Sequence, residues 1–341
     1  MALQGVYSFT QSAELSRLEG ERQRTIDENS VGSMILPLQD HNTDLVEWEI
    51  RDNVTGLMYA RDEDSVFPTR AEPGVKRYAV VPGIFGESRT VPEAKLRTKR
   101  MIGDLGAAIN VDQELADLQQ DLAIQMNWLF EYIRWRLLAA GSVTVAKQDG
   151  STVEVARLDN WTSVAPGVLF TTYATAAPLQ FYAGRAVAYR GLGFDFGKSS
   201  ILCMNNATLQ EHLNNTNSAD LYGRRLAYGQ TTNSLEDFQD LMSARNLPGV
   251  KVVDDTYLDT TGTPQPFIPN GVVVHIGYHW ARGLNCGEFC LTRNGANMGL
   301  PGIYANNDRM PIDPKLPYTV RGANGGPRIN YPNQIKVYAV Y

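Results

Sequence analysis

Cysteine and histidine are scarce in this chain: Cys203, Cys286 and Cys290, and His41, His212, His275 and His279, are all that 341 residues contain. An odd, small number of cysteines in a long chain excludes a disulfide framework and fits a reducing compartment. Few histidines leave little material for imidazole-based catalysis, and there is no G-x-S-x-G nucleophile elbow. Long apolar runs are lacking too. No stretch approaches the roughly 20 residues of a membrane span, and the opening MALQGVYSFTQSAELSRLEG has no apolar signal region, so neither a membrane partner nor secretion is expected. Charge of one sign is also missing. A net charge of −6 and a pI near 5.4 give no broad phosphate-binding surface, and any contact with DNA is expected to be local or without sequence preference. The absence of a fixed-period repeat or low-complexity tract argues against solenoids and propellers.

What is present begins with a helix. Leu115, Leu118, Leu122, Met126, Leu129, Ile133 and Leu137 are spaced three or four apart, which places them on one stripe of a 3.6-residue helix. The spacing predicts a rod over 112–140, about 43 Å long, opened by Asn110 with Gln113 and closed by Gly141 in the left-handed position. Just before it, Glu47 to Arg100 holds 10 basic and 9 acidic residues among 54. Alternation over 45–54, 76–81 and 84–91 predicts a long two-stranded ribbon there. A ribbon of this kind has no core of its own and needs another surface to hold it. The near balance of the two signs points to a complementary interface between copies. Residues 1–44 are too polar for a core and read as an arm that packs on something else.

After the rod, a hairpin is expected over 142–146 and 152–158 with its turn at Asp149-Gly150, then a helix over 178–189. A mixed α+β segment follows: a strand over 200–204, helices over 207–213 (capped by Asn205 or Asn206) and 234–245, and strands over 250–254 and 271–277. The terminal strand within 328–341 should return to an earlier sheet, with the hairpin after the rod as its expected partner.

The candidate chemistry is thin. Gly197-Lys198-Ser199 resembles the end of a P-loop, but Leu192 stands where the first glycine is needed and SILCM reads as a strand rather than a helix. His275, His279, Cys286 and Cys290 form H-x3-H followed by C-x3-C, all zinc-competent. The string GVVVHIGYHW reads as a strand, however, which would set the two histidines about 13 Å apart. The basic cluster Lys95, Arg97, Lys99 and Arg100 is expected to pair with carboxylates more than with phosphate. No catalytic residue, cofactor or metal is therefore expected.

Taken in order, a charged ribbon, a long spine helix, a capping hairpin, a mixed domain and a returning strand resemble the major capsid proteins of tailed double-stranded-DNA bacteriophages. The likeness is to the Hong Kong 97-type capsid fold, and within it to the lambda-like head proteins. EYIRWRLLAAGSVTV (131–145) is similar to the family's helix end, and NLPGVKVVDDTYLD (246–259) followed by PFIPNGVVVHIG (266–277) to its axial strand pair. The resemblance implies an α+β fold divided into an N-terminal arm (1–44), an extended loop (45–103), a peripheral domain (104–189 and 306–341) and an axial domain (190–305).

It also implies a function. The chain would assemble with itself into hexamers and pentamers of an icosahedral shell around packaged DNA, in the host cytoplasm and then in the virion. The expected partners are a separate scaffolding protein, because 44 residues leave little room for a built-in one, together with a portal and a cement or decoration protein. Glu72, Lys76, Arg77, Glu87 and Arg89 are the candidate assembly-interface residues. Two other readings are a cellular nanocompartment shell of the same fold and a zinc-dependent enzyme built around His275 and Cys286.

Overall fold

The computed structural model describes residues 12–51, 74–93, 111–158, 161–215, 235–259, 261–309 and 316–341. Its spine is helix α2 (Val111–Ala140), which follows helix α1 (Ser12–Glu28) in the chain. Of the predicted stripe, Leu115, Leu122, Met126, Ile133 and Leu137 are buried, while Leu118 and Leu129 are only partly covered and Phe130, outside the predicted set, is fully buried beside them. The helix stops at Gly141, whose φ of +75° suits glycine. A Cβ there would lie 2.2 Å from Cγ of Trp161, so chain direction and packing both demand glycine. The expected cap Asn110 lies outside the described residues.

Two sheets flank the spine. The central sheet runs β1 (Leu38–Asp40), β13 (Gly287–Leu291), β17 (Pro317–Ile329), β16 (Ile303–Arg309). Strand β4 (Gly83–Thr90) lies on the opposite edge of β17 from β16, with Tyr318 facing Thr90 and Gly325 facing Gly83. The second sheet runs β7 (Ser163–Val164), β18 (Ile335–Ala339), β12 (Val272–Ile276), β8 (Ile201–Met204), β9 (Gly249–Val252). Separate two-stranded pairs are β2 (Val46–Arg51) with β3 (Val75–Val80), β5 (Ser142–Ala146) with β6 (Thr152–Arg157), β10 (Thr256–Leu258) with β11 (Pro264–Pro266), and β14 (Arg293–Asn294) with β15 (Leu300–Pro301).

The second sheet is buried on both faces, and alternation along β12 sorts its side chains. Val274 and Ile276 join Phe130, Ile133 and Phe289 beside the spine. Val273 points the other way, into a cluster with Tyr182 of α3 (Pro178–Ala188), Leu209 of α4 (Asn206–Leu213) and Phe238 of α5 (Leu235–Ala244). Asn205 caps α4, accepting a 2.8 Å hydrogen bond from the Thr208 N–H. Pairing also crosses the expected boundaries of 190–305. Strand β18 lies between β7 and β12, and β16 pairs with β17.

Three sequence expectations need correction. The terminal strand β18 pairs with β12 and β7, not with the hairpin after the rod. Strand β4 is not half of a ribbon but a member of the central sheet. Residues 12–40 are not an arm packed elsewhere, because α1 and β1 dock on the body of the same subunit. The docking is polar. The Arg321 guanidinium, 1% exposed, donates to Glu19 Oε2 at 2.6 Å, to the Glu19 carbonyl at 3.0 Å and to Gln23 Oε1 at 2.9 Å. Arg134 donates to both oxygens of Asp27, at 2.5 and 2.9 Å. A helix held by buried ion pairs shows little apolar periodicity, so in the sequence α1 reads as too polar for the subunit's own core.

The long strand β17 was hidden by its glycines. At Gly325 a Cβ would sit 2.5 Å from the Cys290 carbonyl oxygen, and at Gly322 2.9 Å from that of Phe85. Neighbouring strands approach too closely here for any side chain. Gly325→Val is therefore expected to lower stability by about 3 kcal/mol or more, read as a fall in the urea midpoint. Gly20→Ala, in α1 with nothing within 4 Å of the added methyl, should be neutral or stabilising by up to about 1 kcal/mol.

Candidate assembly surface

The charged segment is carried by two supports. Strands β2 and β3 pair antiparallel from Val46 opposite Val80 to Arg51 opposite Val75. One face of this hairpin is apolar at its root: Trp48 stacks on Tyr78 with ring centroids 5.5 Å apart, and Val46 and Trp48 pack on Cys290 of β13. The other face carries Glu49 opposite Arg77, which form a 3.4 Å ion pair. With those side chains 42% and 75% exposed, the pair contributes little to subunit stability and lies where a partner can reach it. Lys76, opposite Ile50 in the register, is exposed on the other face of the hairpin from this pair.

Of the other candidates, Glu87 and Arg89 lie on β4. Arg89 bridges Glu87 at 3.5 Å and Asp121 of the spine at 3.2 Å, so it joins sheet to helix within one subunit. Glu72 lies outside the described residues. The structure thus divides the candidates: Lys76 and Arg77 share the hairpin, and Glu87 and Arg89 share the sheet edge.

Charge alone does not point to a second feature. Val81 and Ile84, where β3 passes into β4, are 73% and 83% exposed. With Phe85, the spine residues Leu122, Met126 and Leu129, and Val145, Val153 and Val155 of the β5–β6 hairpin, they wall an open, largely apolar groove of about 750 Å³. Its signal was the apolar run VVPGIF (80–85) inside the most charged part of the chain. Surfaces of this kind mark interaction sites more often than free solvent faces.

The histidines and cysteines flagged by sequence are not brought together. His275 is buried among polar partners: Tyr338 Oη lies 2.9 Å from its Nδ1 and Ser200 Oγ 2.9 Å from its Nε2. Ser200 donates its own proton to the Gly197 carbonyl at 2.6 Å, so it accepts from Nε2–H, and Nδ1 accepts from the tyrosine. Burial pushes the imidazole down to about 3. Cys286 is buried with Sγ 3.7 Å from the Ile35 carbonyl, and burial pushes its thiol well above the usual range. Neither group belongs to a cluster of three metal-competent side chains among the described residues, so a zinc enzyme built on His275 and Cys286 has no support here. The one titratable group of mixed ligand type among the described residues is His41 with Glu288 and Cys290. No helix among the described residues is long and apolar enough to cross a membrane.

No protein-family model matches the chain, and no curated protein matches it in sequence. Solved structures do. A prophage protein of Escherichia coli CFT073, provisionally named its capsid protein, superposes with a TM-score of 0.63 at 12% identity, covering 97% of this chain and 99% of that one. A phage-related protein from Bordetella bronchiseptica RB50 gives a TM-score of 0.55 at 10% identity over 93% of this chain and 96% of that one. Matched nearly end to end, the chain shares the α+β fold of these phage-related proteins.

Proposed function

We propose that this protein is the major capsid protein of a tailed phage, a structural subunit and not an enzyme, which assembles with itself into hexamers and pentamers of a shell around double-stranded DNA. The observation that carries this reading is the near-complete two-way coverage of the prophage protein's fold. A site borrowed onto a larger scaffold would not match from end to end.

Physical features support it. The apolar groove begins at Val81, directly after hairpin strand β3, so exposed apolar and charged groups adjoin. A neighbouring copy that covers the groove with apolar groups would bury Val81 and Ile84, and carboxylates on its rim would meet Arg77 or Lys76, which lie on opposite faces of β3. The peripheral (104–189 and 306–341) and axial (190–305) divisions belong to this proposal, with 12–40 docked on the subunit body and 83–90 in the central sheet taken out of the arm (1–44) and the loop (45–103). So do the virion location, assembly in the host cytoplasm, and the scaffolding, portal and cement partners. The acidic net charge suits a container that holds DNA without sequence preference and without gripping it.

Electron microscopy of the purified full chain, with and without the scaffolding protein of the same phage, tests the proposal. Closed shells or capsomer rings are expected, and monomers under all conditions would sink it. In the same assay, Lys76→Glu combined with Arg77→Glu should abolish or strongly reduce shells while the circular dichroism and melting temperature of the subunit stay near wild type. Normal shells from the double variant would remove the hairpin from the interface.

A further inference from the structure

We propose that His41, Glu288 and Cys290 bind a zinc-class divalent cation beneath the root of the charged hairpin. The ligand atoms, one imidazole nitrogen, one carboxylate oxygen and one sulfur, all lie within 4.8 Å of one another. Glu288 and Cys290 are two apart on β13 and so face the same side of the sheet. Strand β1 runs parallel to β13 with Gln39 facing Cys290, and the His41 N–H donates to the Leu291 carbonyl at 2.8 Å. This brings His41 Nε2 to 3.0 Å from Glu288 Oε2.

The donor set selects the metal. A thiolate, an imidazole and a carboxylate suit Zn²⁺ or Co²⁺, with water completing a tetrahedron, whereas Mg²⁺ and Ca²⁺ demand oxygen. Arg328 also donates to Glu288 Oε2, at 3.0 Å. A carboxylate has two oxygens, so the guanidinium can hold one while the cation takes the other. Cys290 binds as the thiolate, so its proton leaves to solvent when the cation enters.

The position gives the site a consequence. Cys290 lies under Val46 and Trp48, and Arg328 reaches the Glu47 carbonyl at 3.4 Å. A cation here would pin the segment after β1 and the hairpin root to the central sheet. The site belongs to the subunit and does not depend on shell formation.

Titrating the purified full chain with Co²⁺ tests it. One Co²⁺ per subunit with a thiolate-to-cobalt charge-transfer band is expected, and Zn²⁺ should displace it and raise the melting temperature. Cys290→Ser should lose the band, while Cys203→Ser and Cys286→Ser keep it. His41→Ala and Glu288→Gln should weaken binding by about tenfold or more. His41 is partly exposed, so its variant remains a working test even if Cys290→Ser fails to fold. No stoichiometric band, a band that survives in Cys290→Ser, or unchanged affinity in His41→Ala would each overturn the proposal.

Discussion

Replacing Arg134 by alanine is expected to lower subunit stability by about 3–5 kcal/mol, the cost of removing one partner from a buried ion cluster. Arg134 is fully buried on the spine, donating to both oxygens of Asp27 and, at 2.8 Å, to Glu131. Glu131 also accepts from Trp135 Nε1 at 2.9 Å, from the Gly32 N–H at 3.1 Å and from Ser30 Oγ at 3.0 Å. Alanine would strand two carboxylates in the interior. Burial already pushes the Asp27 carboxyl above its usual range, although Arg134 pulls the other way. The cluster therefore fixes where the end of α1 docks more than it adds net stability.

Urea denaturation should show the full loss, and hydrogen exchange should show protection fading first in α1. Arg134→Lys should rescue only partly, because an ammonium cannot reproduce the two-pronged contact. A change within about 1 kcal/mol for Arg134→Ala would mean that α1 is held by something else.

Acid should destabilise the subunit well before most carboxylates titrate. Two buried histidines are responsible. His212 donates from Nδ1 to the Thr208 carbonyl at 2.7 Å and accepts at Nε2 from the Tyr182 hydroxyl, also at 2.7 Å. His275 is also satisfied when neutral, as the other tautomer, donating from Nε2 to Ser200 Oγ and accepting at Nδ1 from Tyr338. Burial depresses them to about 4 and about 3, from an ordinary 6.5. The unfolded chain therefore binds more protons below about pH 6.5, and stability falls as pH drops from there toward the folded values. At 1.36 kcal/mol per unit, the two together remove on the order of 3 kcal/mol between pH 7 and 5.

Asp27, with its raised value, takes up a proton more readily folded than unfolded and offsets part of this at lower pH. Denaturation midpoints measured at pH 7, 6 and 5 check the slope. A His212→Asn, His275→Asn variant should be less stable at pH 7 but nearly flat over the same range. An equally steep slope in that variant would assign the effect to other groups.

How far the fold could be read followed from where each segment's partners lie. The spine was legible because its apolar stripe and its glycine stop are local. The β5–β6 hairpin, the capped α4 and the strand β12 were legible for the same reason. Strand β17 was not, since Gly322, Gly325 and Gly326 look like turns until the strands beside them are known. Helix α1 was not either, since its binding groups are Glu19, Gln23 and Asp27, which resemble an exposed face without Arg321 and Arg134 opposite. The candidate surface was half legible: charge density found Lys76 and Arg77, and missed the groove at Val81 and Ile84. Cys290 stood in the H-x3-H and C-x3-C string, but the groups the fold sets beside it are Glu288 and His41, the latter far away in the chain.

By itself the sequence determined the class and the order: an α+β chain without disulfide framework or broad basic face, with a charged segment leading into a long amphipathic rod. Those properties depend on composition and on periodicity within one segment, which a chain carries whatever it folds against. Only the tertiary structure decided that β4 leaves the hairpin for the central sheet, that α1 docks on its own subunit, and that His41 meets Cys290. Each of these depends on which distant backbone edge or buried charge a residue meets, and that is settled by packing between segments, not by any pattern along one of them.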